Sequence, residues 1–573
     1  MTASPETVSG VEALERHEHA LVGRFTGGLS PLALATAGFD WWTHLAASPA
    51  KQAELLYETW SANAELMSFA VDAARGAAPV PDHPDKRFRN EEWRQYPFNV
   101  MAEGFRLAED WWDMATQDVY GVEKKHERIV NFAVRQMLDM ASPGNFAIAN
   151  PVVIARTLEE RGANLMRGWQ YFRDDLALLL GAQREAGEYV VGETVAATPG
   201  RVVFRNRLIE LIAYEATTAR VHPEPLLIVP AWIMKYYILD LSEHNSLIRY
   251  LTAQGHTVFV ASWRNPDESD RDLSLEDYRR DGFAAALDTV TRLIPGEKVH
   301  AVGYCLGGTL LTIGAAALAR DGDERIASLT LLAAQVDFED AGELTLFISE
   351  SQIAFLEDIM AEQGFLRAEQ MAGAFRMLRS NDLIWSRVIR HYLLGERTEM
   401  NDLMAWNADA TRMPARMHSE YLRQLFLNND LAENRYRVEG GAVSIGDLRM
   451  PLFVLGTERD HVSPWRSVFK VVPLCDTDVT FALASGGHNS GVVSPPRRGG
   501  SHYRIETLGH DAPFVSAGDW LARNPEVEGS WWKAWAAWLA ERSGASEVDA
   551  AARQSALFAD ARDEAPGTYV RQR

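Results

Sequence analysis

The sequence predicts an α/β fold in which a catalytic domain follows an all-helical one. Three observations carry that reading. Six continuous apolar runs of strand length, Leu226-Leu-Ile-Val, Val258-Phe-Val-Ala, Val299-His-Ala-Val, Leu329-Thr-Leu-Leu, Leu452-Phe-Val-Leu and Val479-Thr-Phe-Ala-Leu, alternate with segments of helical spacing. Strands covered on both faces read this way, and the helices between them serve as crossovers in a parallel sheet. One run leads into Gly303-Tyr304-Cys305-Leu306-Gly307, which has the form of a nucleophile elbow with sulfur in place of the serine oxygen. Upstream, from about residue 29 to 185, the periodicity is helical.

At 573 residues the chain exceeds what one hydrophobic core supports and divides into two or more domains. Apolar residues at 47% and charged residues at 24% are ordinary globular values, so disordered and fibrous classes are set aside. A net charge of -22 argues against nucleic acid as a partner and requires any anionic substrate to be met by local basic groups. Cysteine occurs only at Cys305 and Cys475, so there is no disulfide framework. With no secretion signal at the start and no transmembrane segment, a cytoplasmic protein is expected. Ala301 to Ala319 carries no charge and would attract a hydropathy window, but Gly303, Gly307, Gly308 and Gly314 fit a buried strand-turn-helix better. No zinc-ligand spacing and no Gly-x-x-x-x-Gly-Lys loop occurs, so neither a metal nor a nucleotide-hydrolysing site is expected.

In order along the chain, residues 1–28 are polar, lack a clear period and read as a flexible N-terminus. Residues 29–185 read as the helical N-terminal domain. Trp60, Leu66 and Phe69 share one helix there, and Leu158, Leu165, Trp169, Phe172, Leu176 and Leu179 form a long stripe. Such stripes are expected to be helix packing faces. Residues 186–573 read as the catalytic domain. It opens with a hairpin of Val202-Val-Phe and Leu208-Ile-Glu-Leu-Ile, with Asn206 and Arg207 near the turn. Residues 336–446 interrupt the strand-helix alternation with helical spacing rich in Phe, Leu, Met and Ile, which reads as a cap above the strand ends. The fold class is thus an α/β-hydrolase fold with an inserted helical cap subdomain, preceded by an all-helical N-terminal domain.

In this fold the nucleophile, the acid and the histidine follow one another in the chain, and the last two sit just past strands. Asp460 lies beyond Leu452-Phe-Val-Leu-Gly-Thr, and His488 lies beyond Val479-Thr-Phe-Ala-Leu, 28 residues later. His488 suits removal of the thiol proton near neutrality, and Asp460 suits holding the imidazole tautomer and its cation. Glu458 is a rival acid and His461 a rival base. His488 is favoured because Gly486 and Gly487 let the backbone carry its ring across to the sulfur. A helix N-terminus under Cys305 would favour the thiolate. The oxyanion hole is expected from the backbone N–H of Leu306 and one from the loop after Leu226-Leu-Ile-Val, near Trp232 or Ile233.

At these residues the chain resembles the polyhydroxyalkanoate synthases, which polymerise (R)-3-hydroxyacyl-CoA into storage polyester. The likeness runs from about Pro81 to Leu539. It includes Ser142-Pro-Gly-Asn-Phe with Asn150-Pro151, Val229-Pro-Ala-Trp-Ile-Met-Lys, Ala261-Ser-Trp-Arg-Asn-Pro, Gly303-Tyr-Cys-Leu-Gly-Gly-Thr, Trp406-Asn-Ala-Asp, Gly456-Thr-Glu-Arg-Asp-His and Ser485-Gly-Gly-His-Asn-Ser-Gly. The family's cysteine, aspartate and histidine fall on Cys305, Asp460 and His488. Tyr304 and Leu306 resemble the class I enzymes, which prefer short side chains. Ala231 and Met234 depart from the proline and asparagine common in the family. The resemblance implies a covalent acyl-cysteine intermediate, with the CoA thioester as substrate and no cofactor. It further implies a homodimer, a growing polyester chain and granule surface as partners, and a cytoplasmic location at polyhydroxyalkanoate granules.

The alternative reading is a Cys-His-Asp thioesterase or polyester hydrolase, in which water is the second nucleophile; a large cap and an extra helical domain disfavour it. Arg497 and Arg498 are candidates for the CoA phosphates, against a plain solvated loop. The tryptophans at Trp41-Trp42, Trp111-Trp112 and from Trp531 to Trp538 fit core or apolar surface equally well.

Overall fold

An eleven-stranded mixed sheet organises the catalytic part of the protein. In this computed structural model the described residues are 10–26, 28–77, 85–179, 187–377, 384–496, 499–561 and 563–573. The chain divides into two units. One comprises Met1–Gly28, Ala186–Met371 and Met400–Arg573, the other Leu29–Glu185 and Ala372–Glu399.

The sheet contains β1 (Gly200–Arg205), β2 (Ile209–Tyr214), β3 (Leu226–Val229), β4 (Val258–Trp263), β5 (Val299–Tyr304), β6 (Ile326–Leu332), β7 (Leu452–Thr457), β8 (Val479–Ala484), β9 (His502–Leu508), β10 (Val527–Glu528) and β11 (Asp563–Glu564). Their spatial order is β10-β9-β8-β7-β6-β5-β3-β4-β2-β1-β11. The run from β8 to β4 is parallel, and it consists of the six strands expected from the apolar runs. Every residue of β3, β4, β5, β7 and β8 is buried, which is why those stretches carry no alternation. Antiparallel strands flank this core on both sides. The β1–β2 hairpin turns at Asn206, whose side-chain oxygen accepts from the N–H groups of Leu208 and Ile209, both at 2.8 Å. Strand β9 has only half-buried positions for most of its length and so lacks the apolar signature of the others.

Two expectations about domain limits change. Where a flexible N-terminus is predicted, Gly10–Thr26 forms a helix packed on the helix Glu350–Gln363. His19 pairs with Asp358 at 2.7 Å, and a Cβ on Gly23 would meet Ile359 at 2.4 Å, so the two helices cross closely at a glycine. A search for apolar periodicity passes over a contact built on glycine and charge. Residues 336–446, predicted as one cap, are also divided, because Ala372–Glu399 belongs with the N-terminal helices.

Within that helical unit, Pro49–Ala74 packs on Phe98–Thr116, and Pro31–Ala46 packs on Lys124–Ala141. Asn150 caps the helix Pro151–Glu159 by accepting from Val152 and Val153, and its amide donates to Gly144 at 2.7 Å. The stripe from Leu158 to Leu179 is not one helical face. The left-handed residues Arg161 and Gly162 break it into Pro151–Glu159 and Ala163–Leu179, and Leu158 and Trp169 are 75% and 61% exposed. The contact that Ala163–Leu179 does make uses Gly168, where a Cβ would lie 1.9 Å from the Tyr392 carbonyl oxygen. No helix among the described residues is long and apolar enough to cross a membrane.

Candidate active site

Cys305 sits on the turn between β5 and the helix Leu306–Arg320 with φ 53° and ψ −126°, a strained backbone state for a residue with a side chain. Neighbouring glycines make that turn possible. A Cβ on Gly303 would lie 2.3 Å from Gly308 Cα, and one on Gly308 would lie 2.4 Å from Ala334 Cβ. On Gly307 it would lie 2.1 Å from the Val229 carbonyl oxygen. The elbow is therefore pressed against β6 on one side and the exit of β3 on the other, and the thiol is buried.

The two predicted partners converge on it from the neighbouring strand ends. Asp460 follows β7, and His488 opens the short helix His488–Val492 after β8. Gly486 at φ 115° makes the bend, with no room for a Cβ, which would come 2.9 Å from Gly491 N. His488 Nδ1 lies 2.8 Å from Asp460 Oδ2, and the Cys305 sulfur interacts with the same imidazole. The second Asp460 oxygen accepts from the backbone N–H of Val462 (2.9 Å) and Ser463 (2.8 Å), while Thr457 Oγ1 donates to Oδ2 at 3.0 Å.

The electrostatics follow from this packing. Burial opposes charge on both groups. For His488 the Asp460 carboxylate and the Cys305 sulfur overcome it and hold the imidazole well above its ordinary range. For Asp460 the His488 cation and the donated hydrogen bonds overcome it and hold the carboxyl below its ordinary range. The arrangement is that of an imidazolium poised between a carboxylate and a sulfur. Cys475 is different: burial pushes its thiol up to about 12, which keeps it protonated and unreactive.

The rivals sit elsewhere. Glu458 pairs with His502 at 3.2 Å, while it is His488 that contacts the Asp460 carboxylate, at 2.8 Å. Glu458, His502 and Glu526 bring three ligand atoms within 4.8 Å, the spacing of a metal site. Arg504, 2.7 Å from Glu526, already supplies positive charge there. Arg497 and Arg498 lie outside the described residues.

Leu306 is the first residue of its helix, so its N–H has no acceptor within the helix. The Gly307 contact with Val229 places the loop Pro230–Lys235 beside that turn, with Trp232 packed on Trp263 and Tyr278. Ile233 accepts from the Thr411 N–H at 3.2 Å.

Sequence reasoning missed three contributors. Tyr304, beside Cys305, packs on the His488 ring with centroids 5.6 Å apart and donates to Asn489 Oδ1 at 2.6 Å. Tyr421, from the inserted region, packs on Phe338 and Phe426, with Cys305 among its electrostatic neighbours. The third contributor is the tryptophan-rich helix Trp531–Ala540. Trp531 donates to the Gly491 carbonyl and Trp532 to the Val492 carbonyl, both at 2.9 Å, so these indoles fix the helix that starts with His488. Adjacency to Cys305 and to His488 was the available signal for Tyr304 and Asn489; nothing local points to Tyr421.

Comparison with known proteins bears on this geometry directly. The family model described as the poly-beta-hydroxybutyrate polymerase (PhaC) N-terminus matches residues 84–251, the poly-beta-hydroxybutyrate polymerase N-terminal model matches residues 9–51, and the alpha/beta hydrolase fold matches residues 224–492. The poly(3-hydroxyalkanoate) polymerase of Methylorubrum extorquens is 41% identical over 519 residues, 89% of this chain and 85% of that one. The poly(3-hydroxyalkanoate) polymerase subunit PhaC of Rhizobium meliloti is 39% identical over 90% of this chain and 84% of its own. The PhaC subunit of Cupriavidus necator is 35% identical over 88% of this chain and 85% of its own. With the elbow, the histidine loop and the helical N-terminal part all inside these matches, the chain belongs to the poly(3-hydroxyalkanoate) polymerase family.

Proposed function

We propose that the protein polymerises (R)-3-hydroxyacyl-CoA thioesters, short ones such as 3-hydroxybutyryl-CoA in particular, with the growing acyl chain carried on Cys305. The observation behind this reading is the convergence of three groups in chain order: His488 is hydrogen-bonded to Asp460 at 2.8 Å, and its imidazole interacts with the Cys305 sulfur. The thiol proton rests on His488 as imidazolium, and the Cys305 thiolate attacks the thioester carbonyl. The resulting oxyanion is met by the N–H groups of Leu306 and Ile233, and the C–S bond to CoA then breaks, with His488 returning its proton to the leaving sulfur. Exchanging one thioester for another costs little, so the acyl-enzyme stays activated. The hydroxyl of a second 3-hydroxyacyl unit gives its proton to His488 and attacks the acyl-cysteine carbonyl. The ester forms and the Cys305 thiolate leaves.

The polymerase names of the relatives support a hydroxyl rather than water as the second nucleophile. Tyr304 packed on the imidazole narrows the site beside Cys305, which suits short side chains. Apolar side chains left exposed on Pro31–Ala46 and Pro49–Ala74, among them Phe39 (67%), Trp42 (59%) and Trp60 (74%), suit contact with polyester or a second copy. Incubation with 3-hydroxybutyryl-CoA tests the reading. Released CoA matched by insoluble polyester is expected; CoA matched by free 3-hydroxybutyrate would make the protein a thioesterase.

A further inference from the structure

The loop between β3 and the 3-10 turn Tyr236–Leu239 carries Ile233, and its carbonyls are held from several directions. Trp263 Nε1 donates to the Pro230 carbonyl at 2.8 Å, Thr411 Oγ1 donates to that of Trp232, and Trp406 Nε1 donates to that of Lys235 at 2.7 Å. The Lys235 side chain has a different fate from most lysines. It is 3% exposed, and its hydrogen-bond acceptors are two backbone carbonyls, Gln572 at 2.7 Å and Tyr569 at 3.4 Å. The segment that supplies them is itself tied down. Gln572 Oε1 accepts from the Asn265 N–H at 3.1 Å, and the Arg573 carbonyl accepts from Arg412 at 3.0 Å. Arg412 is in turn fixed by its N–H to Asn265 Oδ1 at 3.0 Å. Burying an ammonium is costly; the two carbonyls and the charge of the Asp409 carboxylate offset part of that cost.

We propose that Lys235 and the segment Tyr569–Arg573 form a strap that holds the Ile233 amide in position opposite the Cys305 elbow, making Lys235 a positioning residue for acyl transfer. The inference rests on the assignment of Ile233 to the oxyanion hole. Lys235 sits two residues beyond Ile233, so a shift of its side chain is passed along a loop whose other carbonyls are already committed. Loss of a preorganised oxyanion donor costs about 10²–10³ in rate, and a displaced one costs part of that.

Three variants of the full chain test it: Lys235→Met, truncation after Arg571, and both together. Each single change is expected to lower kcat about tenfold with 3-hydroxybutyryl-CoA while KM stays within about twofold, the pattern for an interaction made in the transition state. The double variant is expected to be no slower than the slower single one, because the two changes disable one strap. Inactivation of Cys305 by iodoacetamide should keep its rate, since the thiol and His488 are untouched. Unchanged kcat in the truncated chain, or losses that multiply in the double variant, would overturn the strap. Cys305→Ala run alongside separates the two levels: retained CoA release there would sink the catalytic assignment itself, whatever the strap variants do.

Discussion

Buried histidines occupy both ends of the central strands, and the two ends treat them in opposite ways. At the carboxyl ends His488 faces Asp460 and is held as a cation. At the amino ends His256, before β4, and His300, in β5, are held neutral. Burial pushes His256 down to about 3 and His300 down to about 4. His300 has two hydroxyl partners, Ser328 at 2.7 Å and Ser543 at 3.0 Å, while His256 stacks on His222 at 4.7 Å with neither ring nitrogen hydrogen-bonded. The three rings are similarly desolvated, so burial does not decide their charge. A carboxylate in contact does: among the described residues Asp460 touches His488, whereas the hydrogen-bond partners of His300 are hydroxyls.

Breaking the charged end has the largest expected effect. Cys305→Ala or His488→Ala should each reduce CoA release by about 10⁴ or more, since members of such a unit fail together. Asp460→Asn keeps the shape but removes the charge and should cost about 10³–10⁴. Its sharper signature is titration. With the carboxylate gone, burial prevails and His488 should become a neutral imidazole at pH 7, like His256; ¹⁵N NMR of the histidine rings reads this change.

At the other end the test is stability rather than rate. The folded form of His256 resists protonation, whereas an unfolded histidine titrates near 6.5, so between about 6.5 and 3 the unfolded chain binds more protons. Stability is therefore lost as pH falls through that window. At pH 5 the loss from His256 alone is about 2 kcal/mol. His256→Phe should remove it, so that melting at pH 5 improves over wild type while melting at pH 8 changes little; an equal shift at both values would contradict the neutral assignment. The smallest expected effect is that of Tyr304→Phe. It deletes one hydrogen bond to Asn489 beside the imidazole and should slow turnover about fivefold, equivalent to roughly 1 kcal/mol.

The contrast also explains what could be read in advance. Strands β3 to β8 announce themselves because burial on both faces demands unbroken apolar runs. The elbow announces itself because Gly303 and Gly307 have no alternative. Cys305, Asp460 and His488 could be picked from chain order because each stands just past such a strand. Side chains matched across long sequence distances left no comparable trace. Nothing near Lys235 points to Gln572, and nothing near Tyr421 points to Cys305. The helix Gly10–Thr26 was illegible because its crossing point is a glycine, and β9 because half-buried positions carry no consistent period. The tryptophans divide by setting: Trp531, Trp532 and Trp535 are core, Trp60 faces outward, and composition is blind to the difference.

Trp531 and Trp532 hold the residues just after His488 through their indole N–H groups. The protein thereby carries its own optical gauge. A rearrangement of the histidine loop during turnover would alter the surroundings of these two indoles, two of the seventeen in the chain, and so contribute a change in ultraviolet emission that needs no label.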